Sequence, residues 1–243
     1  MTSSLPPLSE LVGLFPEDTR GPAYNLAYVY AGVALLAFAQ EKKTSYLWQE
    51  IANAHATDES AQATVARRLR EGLLKASPLV GFPRSINGLS ALLESTRRTS
   101  PTLAASLEQD ASLRSPVPKA ERQQRGKAFF SRIYAQHTDR VLHAMNASSG
   151  GDLGEFAITC IYGDLMAEES ILDAKETGLL EFVACFACQA ERQAKGHMYG
   201  ARNLGASGKE ITGTVDLVIR VAKALGVDFD IAGMEFVEKA KGW

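Results

Sequence analysis

Apolar positions recur at helical spacing along almost the whole chain. No run shows the two-residue alternation with β-branched enrichment that a half-buried strand would need. In ESAQATVARRLREGLLK, Val65, Leu69, Leu73 and Leu74 form one stripe, with Arg67, Arg68, Arg70 and Glu71 mostly off it. Ile211, Val215, Val218, Val221 and Ala222 do the same in KEITGTVDLVIRVAKAL. Helix starts are written in the sequence as caps. TDES at Thr57 offers a Thr or Asp cap with acidic residues in the first turn. Ser207 with Glu210 three residues later forms a capping box. The run AYVYAGVALLAFAQ from Ala27 ends at Glu41, too short to span a bilayer, and suits a buried helix. The expected fold class is all-α.

One stretch breaks the pattern. From Ser95 to about Lys127 the chain is rich in Ser, Pro and charge, and reads as a linker holding a short helix. It divides the chain into an N-terminal helical unit (1–95), a linker (96–126) and a C-terminal unit (127–243). The two units share a layout of helix, capped loop and longer amphipathic helix; this fits a tandem duplication, and it equally fits two unrelated amphipathic helical pairs.

Composition narrows the partners. Hydrophobic residues make up 46% of the 243 and charged residues 22%, enough for a packed core. A net charge of -2 gives no electrostatic reason to expect nucleic acid or an anionic membrane. Three cysteines, an odd number, fit a reducing compartment better than a disulfide framework. No basic residue precedes Arg20, so the N-terminus resembles neither a secretory signal nor an Arg-rich transit peptide. EKAKGW is not a peroxisomal tripeptide address. The expected location is intracellular, the cytoplasm first, with mitochondrion and peroxisome left open.

Candidate chemistry concentrates in ACQAERQAKGHMYGARNLGAS. His197 is a candidate general acid or base, since imidazole titrates near neutrality; the plainer alternative is a half-buried ring bonded to a carbonyl. Gly196 and Gly200 flank it and leave a groove for a neighbouring helix or a small ligand. Glu191 lies six residues earlier, about 120° round a straight helix. It reaches the same pocket only from the helix start. Cys185 and Cys188 have CxxC spacing, yet sit near the end of a helix already under way, where small buried thiols are ordinary content. No metal-ligand spacing is present.

YGDLMA from Tyr162, LDAKETGLLEFVACFA, and ERQAKGHMYGARNLGASGKEI together resemble the carboxymuconolactone decarboxylase family, which shares its all-helical fold with the alkyl hydroperoxidase D proteins. The family run is met by Glu191, Gln193, Lys195, Gly196, His197, Gly200, Ala201, Asn203, Gly205, Ala206, Ser207 and Glu210. Gly81, Phe82, Pro83, Asn87 and Leu89 resemble the closing helix of the same unit. The resemblance implies a tandem pair of such units, with one working pocket around His197. It implies cofactor-free, metal-free acid–base chemistry, of lyase or isomerase type, on a small carboxylated or lactone-like molecule. His197 and Glu191 would be catalytic. Gln193, Arg202, Tyr162 and Tyr199 would contact substrate, with Arg202 alternatively a surface residue and the tyrosines alternatively packing. The peroxidase branch implies a thiol mechanism, for which Cys185 and Cys188 are the candidates. Gln193 and Ala190 stand where that branch carries its cysteines. A third alternative is a family member retained for binding or assembly. A homo-oligomer is expected.

Overall fold

The computed structural model describes residues 5–21, 24–114 and 116–243; the first four residues of the N-terminal stretch read for a leader lie outside them. Helices account for nearly all regular structure, and no strand occurs among the described residues. The expected all-α class is the one observed.

The central element is α2 (Leu26–Ala37), whose twelve residues are all buried. Asn25 caps it, its side-chain oxygen accepting from the Ala27 N–H at 2.9 Å. A helix apolar on every side must be enclosed. Here α1 (Leu8–Val12), α3 (Thr44–Ala54), α4 (Glu59–Lys75), α11 (Ala174–Ala187) and α13 (Gly208–Leu225) pack round it. The caps expected from sequence form: Asp58 accepts from Ala61 N–H, and Ser207 with Glu210 makes a reciprocal box. An equivalent box, Asp173 with Glu176, starts α11.

Between α4 and the C-terminal helices run α5 (Ser77–Val80), α6 (Phe82–Thr99), α7 (Pro101–Glu108) and α8 (Lys119–Tyr134). The segment read as a linker is thus occupied by the end of α6, all of α7 and the start of α8, with 109–114 and 116–118 irregular. Next come α9 (Thr138–Ala147) and α10 (Asp152–Phe156), which continues into a π-helical run, Ala157–Met166. This run lies against α8 so closely that a Cβ on Gly126 would fall 1.8 Å from the Ile158 carbonyl oxygen. Phe129, Phe130, Ile133, Ile158, Tyr162 and Met166 form a second apolar cluster here, beside the main core.

α4 departs from its sequence reading. Arg68 and Glu71, expected off the apolar stripe, are buried, and so is Lys75. The helix is covered on two sides, by α2 and by the 164–177 stretch, so its polar face is enclosed and must be satisfied internally. Arg68 pairs with Glu176, and Arg114 with Glu71. The fully buried Lys75 ammonium donates to the carbonyls of Met166, Glu168 and Leu172 and to Thr177 Oγ1, with Glu71 at 3.9 Å.

Burial lowers Lys75 from 10.5 to about 8, partly offset by the Glu71 carboxylate. Between those values the unfolded chain holds a proton that the native state has released. The Lys75 contribution to stability therefore rises with pH from about 8 to about 10.5, and its full cost is present below 8. Denaturant unfolding of wild type and Lys75→Met should show a stability difference that shifts in favour of wild type across this window. Its slope should be at most about 1.4 kcal/mol per pH unit. A pH-independent difference would contradict the assignment.

Candidate functional site

α11 and α12 (Glu191–Asn203) form an antiparallel hairpin that turns at Gln189, a residue with φ 54°. Residues equally far from the turn face each other. Glu181 and His197 lie eight positions before and after it, and His197 Nδ1 sits 3.6 Å from Glu181 Oε2. Both are sealed in, at 1% and 5% exposure. Neither Glu181 oxygen has a hydrogen-bond partner, and nor does His197 Nδ1. Three convergent buried polar atoms are therefore unsatisfied.

α8 closes the site from the other side. A Cβ on Gly200 would lie 2.6 Å from Ile133 Cγ2, so only glycine lets α8 approach α12 this closely. Asn203 Nδ2 donates to the Ile133 carbonyl at 2.8 Å and fixes the approach. Tyr134, half-buried at the end of α8, sits over the imidazole with ring centroids 6.1 Å apart. Ala135 follows it with φ 46°, a strained conformation for a residue with a Cβ. Phe130 packs against both tyrosines, tilted on Tyr134 at 4.4 Å and edge-on to Tyr162 at 5.0 Å. Burial, and then the Glu181 carboxylate, pushes Tyr162 well above the ordinary phenol range; burial acts likewise on Tyr134. Cys185, one turn beyond Glu181, is raised for the same two reasons. Its thiolate is disfavoured, so it is a weak nucleophile.

The residues proposed from sequence separate into two groups. His197, Tyr162 and Cys185 come together. The carboxylate beside the imidazole is Glu181, not Glu191. Glu191 is exposed at the start of α12, near Gly233, because the straight helix carries it away from the His197 face. Gln193 is also exposed. Tyr199 and Arg202 lie on the outer side against Trp243, whose ring is 5.2 Å from the tyrosine ring and 4.2 Å from the guanidinium. Cys188 is exposed at the end of α11, in a cleft of about 340 Å³ with Arg84 and Asp228. No group of three or more metal-capable side chains occurs among the described residues. None of the described helices is long and apolar enough to cross a membrane.

Glu181, Tyr134 and Lys75 were not singled out from sequence. A signal for Glu181 existed: it is the one charge in GLLEFVACFA, a run whose residues are otherwise all apolar or small.

No protein-family model and no solved structure matches this chain. Peroxisomal protein 2 of Schizosaccharomyces pombe is 30% identical over 202 residues, covering 83% of this chain and 88% of that protein. Peroxisomal protein 2 of Saccharomyces cerevisiae is 29% identical over 185 residues, 69% of this chain and 65% of that protein. The chain belongs to the Peroxisomal protein 2 family. This corrects the function expected above. The relatives are not called decarboxylases or peroxidases. The lyase or isomerase reading, its thiol-peroxidase alternative and the retained decarboxylase-family binder are therefore set aside. The site agrees with that correction. Glu191 does not face His197, and the two cysteines split between a buried raised thiol and an exposed one.

Disulfide-exchange labelling of the native chain should modify Cys188 first and leave Cys185 intact until denaturant is added. Peptide mass spectrometry reads the order, and early modification of Cys185 would contradict the packing.

Proposed function

We propose that this chain is a peroxisomal protein whose working centre is the Glu181–His197 pair, where a small polar molecule with hydrogen-bond donors is held. The location rests on the two relatives' names, and the peroxisome is one of the compartments the sequence left open. The site rests on one observation: both Glu181 oxygens and His197 Nδ1 are buried without partners. Folding stability alone does not favour such groups, because each unsatisfied buried polar atom costs about 1–3 kcal/mol, and more when charged. The surrounding hydroxyls of Tyr134 and Tyr162 stay protonated and complete a set of donors and acceptors round the same point.

Two finer readings belong with this proposal. The tandem arrangement is supported by matching hairpins: α3 and α4 span 11 and 17 residues with an Asp58 cap between them, α12 and α13 span 13 and 18 with a Ser207 cap. Self-association is supported by the exposed apolar side chains Phe82 and Ile86, one turn apart on α6, and Leu153 and Phe156 on α10.

A fluorescently tagged full chain should coincide with a peroxisomal marker in yeast cells; a diffuse signal would overturn the location. Glu181→Met removes the unsatisfied carboxylate. It should stabilise the fold by about 1–3 kcal/mol, each kcal/mol raising Tm by about 2–4 °C. Small molecules retained by the purified wild type should be missing from this variant by mass spectrometry. A lower Tm, with an unchanged retained set, would make the pair structural.

A further inference from the structure

A second hollow shares no residue with the Glu181–His197 centre. A cleft of about 460 Å³ opens between α4, α6, α7 and the 109–114 segment. That volume falls in the range of about 300–1,000 Å³ usual for small-molecule sites. Leu74 of α4, Leu89 and Leu93 of α6, Leu113 and Ile171 line it, and none of the five is fully buried. Leu113 is left 39% exposed although other leucines line the same cleft. Five large apolar side chains from four parts of the chain thus keep accessible surface turned to one hollow. Each Å² of such surface gains about 25 cal/mol when an apolar occupant covers it.

Ion pairs on the rim hold the hollow open. The irregular 109–114 segment is tied to α4 at two points four residues apart. Asp110 meets Arg67 and Arg70 at 2.8 and 2.7 Å, and Arg114 meets Glu71. Leu113 lies between the two ties, so the segment bridges the other leucines and does not fold down on them. The charges that line the cleft are Glu71, Glu108, Asp110, Arg70 and Arg114. Every one is already in an ion pair, Glu108 with Arg97 at 2.9 Å. Arg70 and Arg114 also donate to the carbonyls of Leu107 and Leu165. Arg114 Nε has no partner, but it is sealed from the cleft. A ligand carboxylate would meet three carboxylates and no free cation. A ligand ammonium would find no free carboxylate. Taking either charge out of water without a partner is unfavourable.

We infer that this cleft binds an uncharged, largely hydrocarbon small molecule: the leucines and Ile171 cover its carbon skeleton, and the rim of closed ion pairs favours neither an anionic nor a cationic head group. The walls rise on three helices and a bridging segment, which makes a hollow for a small molecule and not a face for a helix.

Calorimetric titration of the full chain with 1-octanol, octanoate and octylammonium tests this. Octanol should bind saturably, one per chain, and each ion at least about tenfold more weakly. Leu93→Glu places a carboxylate on the half-buried wall of the cleft and should abolish octanol binding while the native circular dichroism spectrum is retained. Leu89→Glu, one turn earlier on the same helix, gives the same reading should Leu93→Glu fold poorly. Sedimentation should show one and the same oligomeric state with and without octanol. Absence of saturable octanol binding, either ion binding as tightly as octanol, or full binding by folded Leu93→Glu and Leu89→Glu variants would overturn the inference. So would dissociation of an assembly by octanol, which would give the cleft to a second copy of the chain.

Discussion

A carboxylate sealed from water with no hydrogen-bond donor is the constraint that organises this molecule. Removing an ionised group from water costs several kcal/mol even after relaxation, and the cost is recovered only where partners replace the lost hydration. Glu181 has His197 at 3.6 Å, lies within the field of the Lys75 ammonium, and accepts no hydrogen bond. The carboxylate is tolerated because of its setting. The apolar core round α2 is large enough to absorb a local cost, and the α11–α12 hairpin leaves the side chain no route outward. The carboxylate in turn sets the state of its neighbours. Its field adds to burial in keeping Tyr162 and Cys185 protonated. The groups round it therefore remain donors across the physiological pH range.

Lys75 shows what the same fold does when a buried charge is structural. It is as deeply buried as Glu181, yet its ammonium reaches three carbonyls and a hydroxyl. It ties α4 to the turn before α11 and to the first turn of α11 itself. Two buried ionisable side chains within one core, one fully hydrogen-bonded and one not at all, are hard to explain by packing alone. The contrast separates a residue that holds the fold from one kept in reserve for something the chain does not supply.

The local parts of this structure were legible in the sequence. Helical period, the Asp58 and Ser207 caps, the buried character of α2 and the groove at Gly196 and Gly200 depend on residues within a few positions of one another. Those interactions survive without knowledge of the tertiary fold. The partner of His197 was not legible in the same way. Glu191 was chosen for its closeness in sequence, whereas the hairpin brings in Glu181 from sixteen residues away by symmetry about Gln189. Arg68 and Glu71 were misread for a related reason. A polar helix face is expected to meet water, and here the 164–177 stretch covers it, a contact set by a loop far along the chain. The residues around His197 marked their helices and caps, but a chemistry requires a constellation, and that constellation is tertiary.

Arg114, Glu71, Lys75 and Glu181 are coupled across α4 and α11. Lys75 lies in the field of Glu71 and Arg114 and also of Glu181. These groups form an alternating series from Arg114 through Glu71 and Lys75 to the carboxylate beside His197. In a low-dielectric interior such a series is screened far less than surface charge. Its members are pinned by helix packing and not by flexible loops, since Glu71 and Lys75 share α4 and Glu181 lies one turn beyond Thr177 on α11. α4 is therefore the element that joins these charges, and its burial on both sides, the feature least visible in the sequence, is what makes that connection.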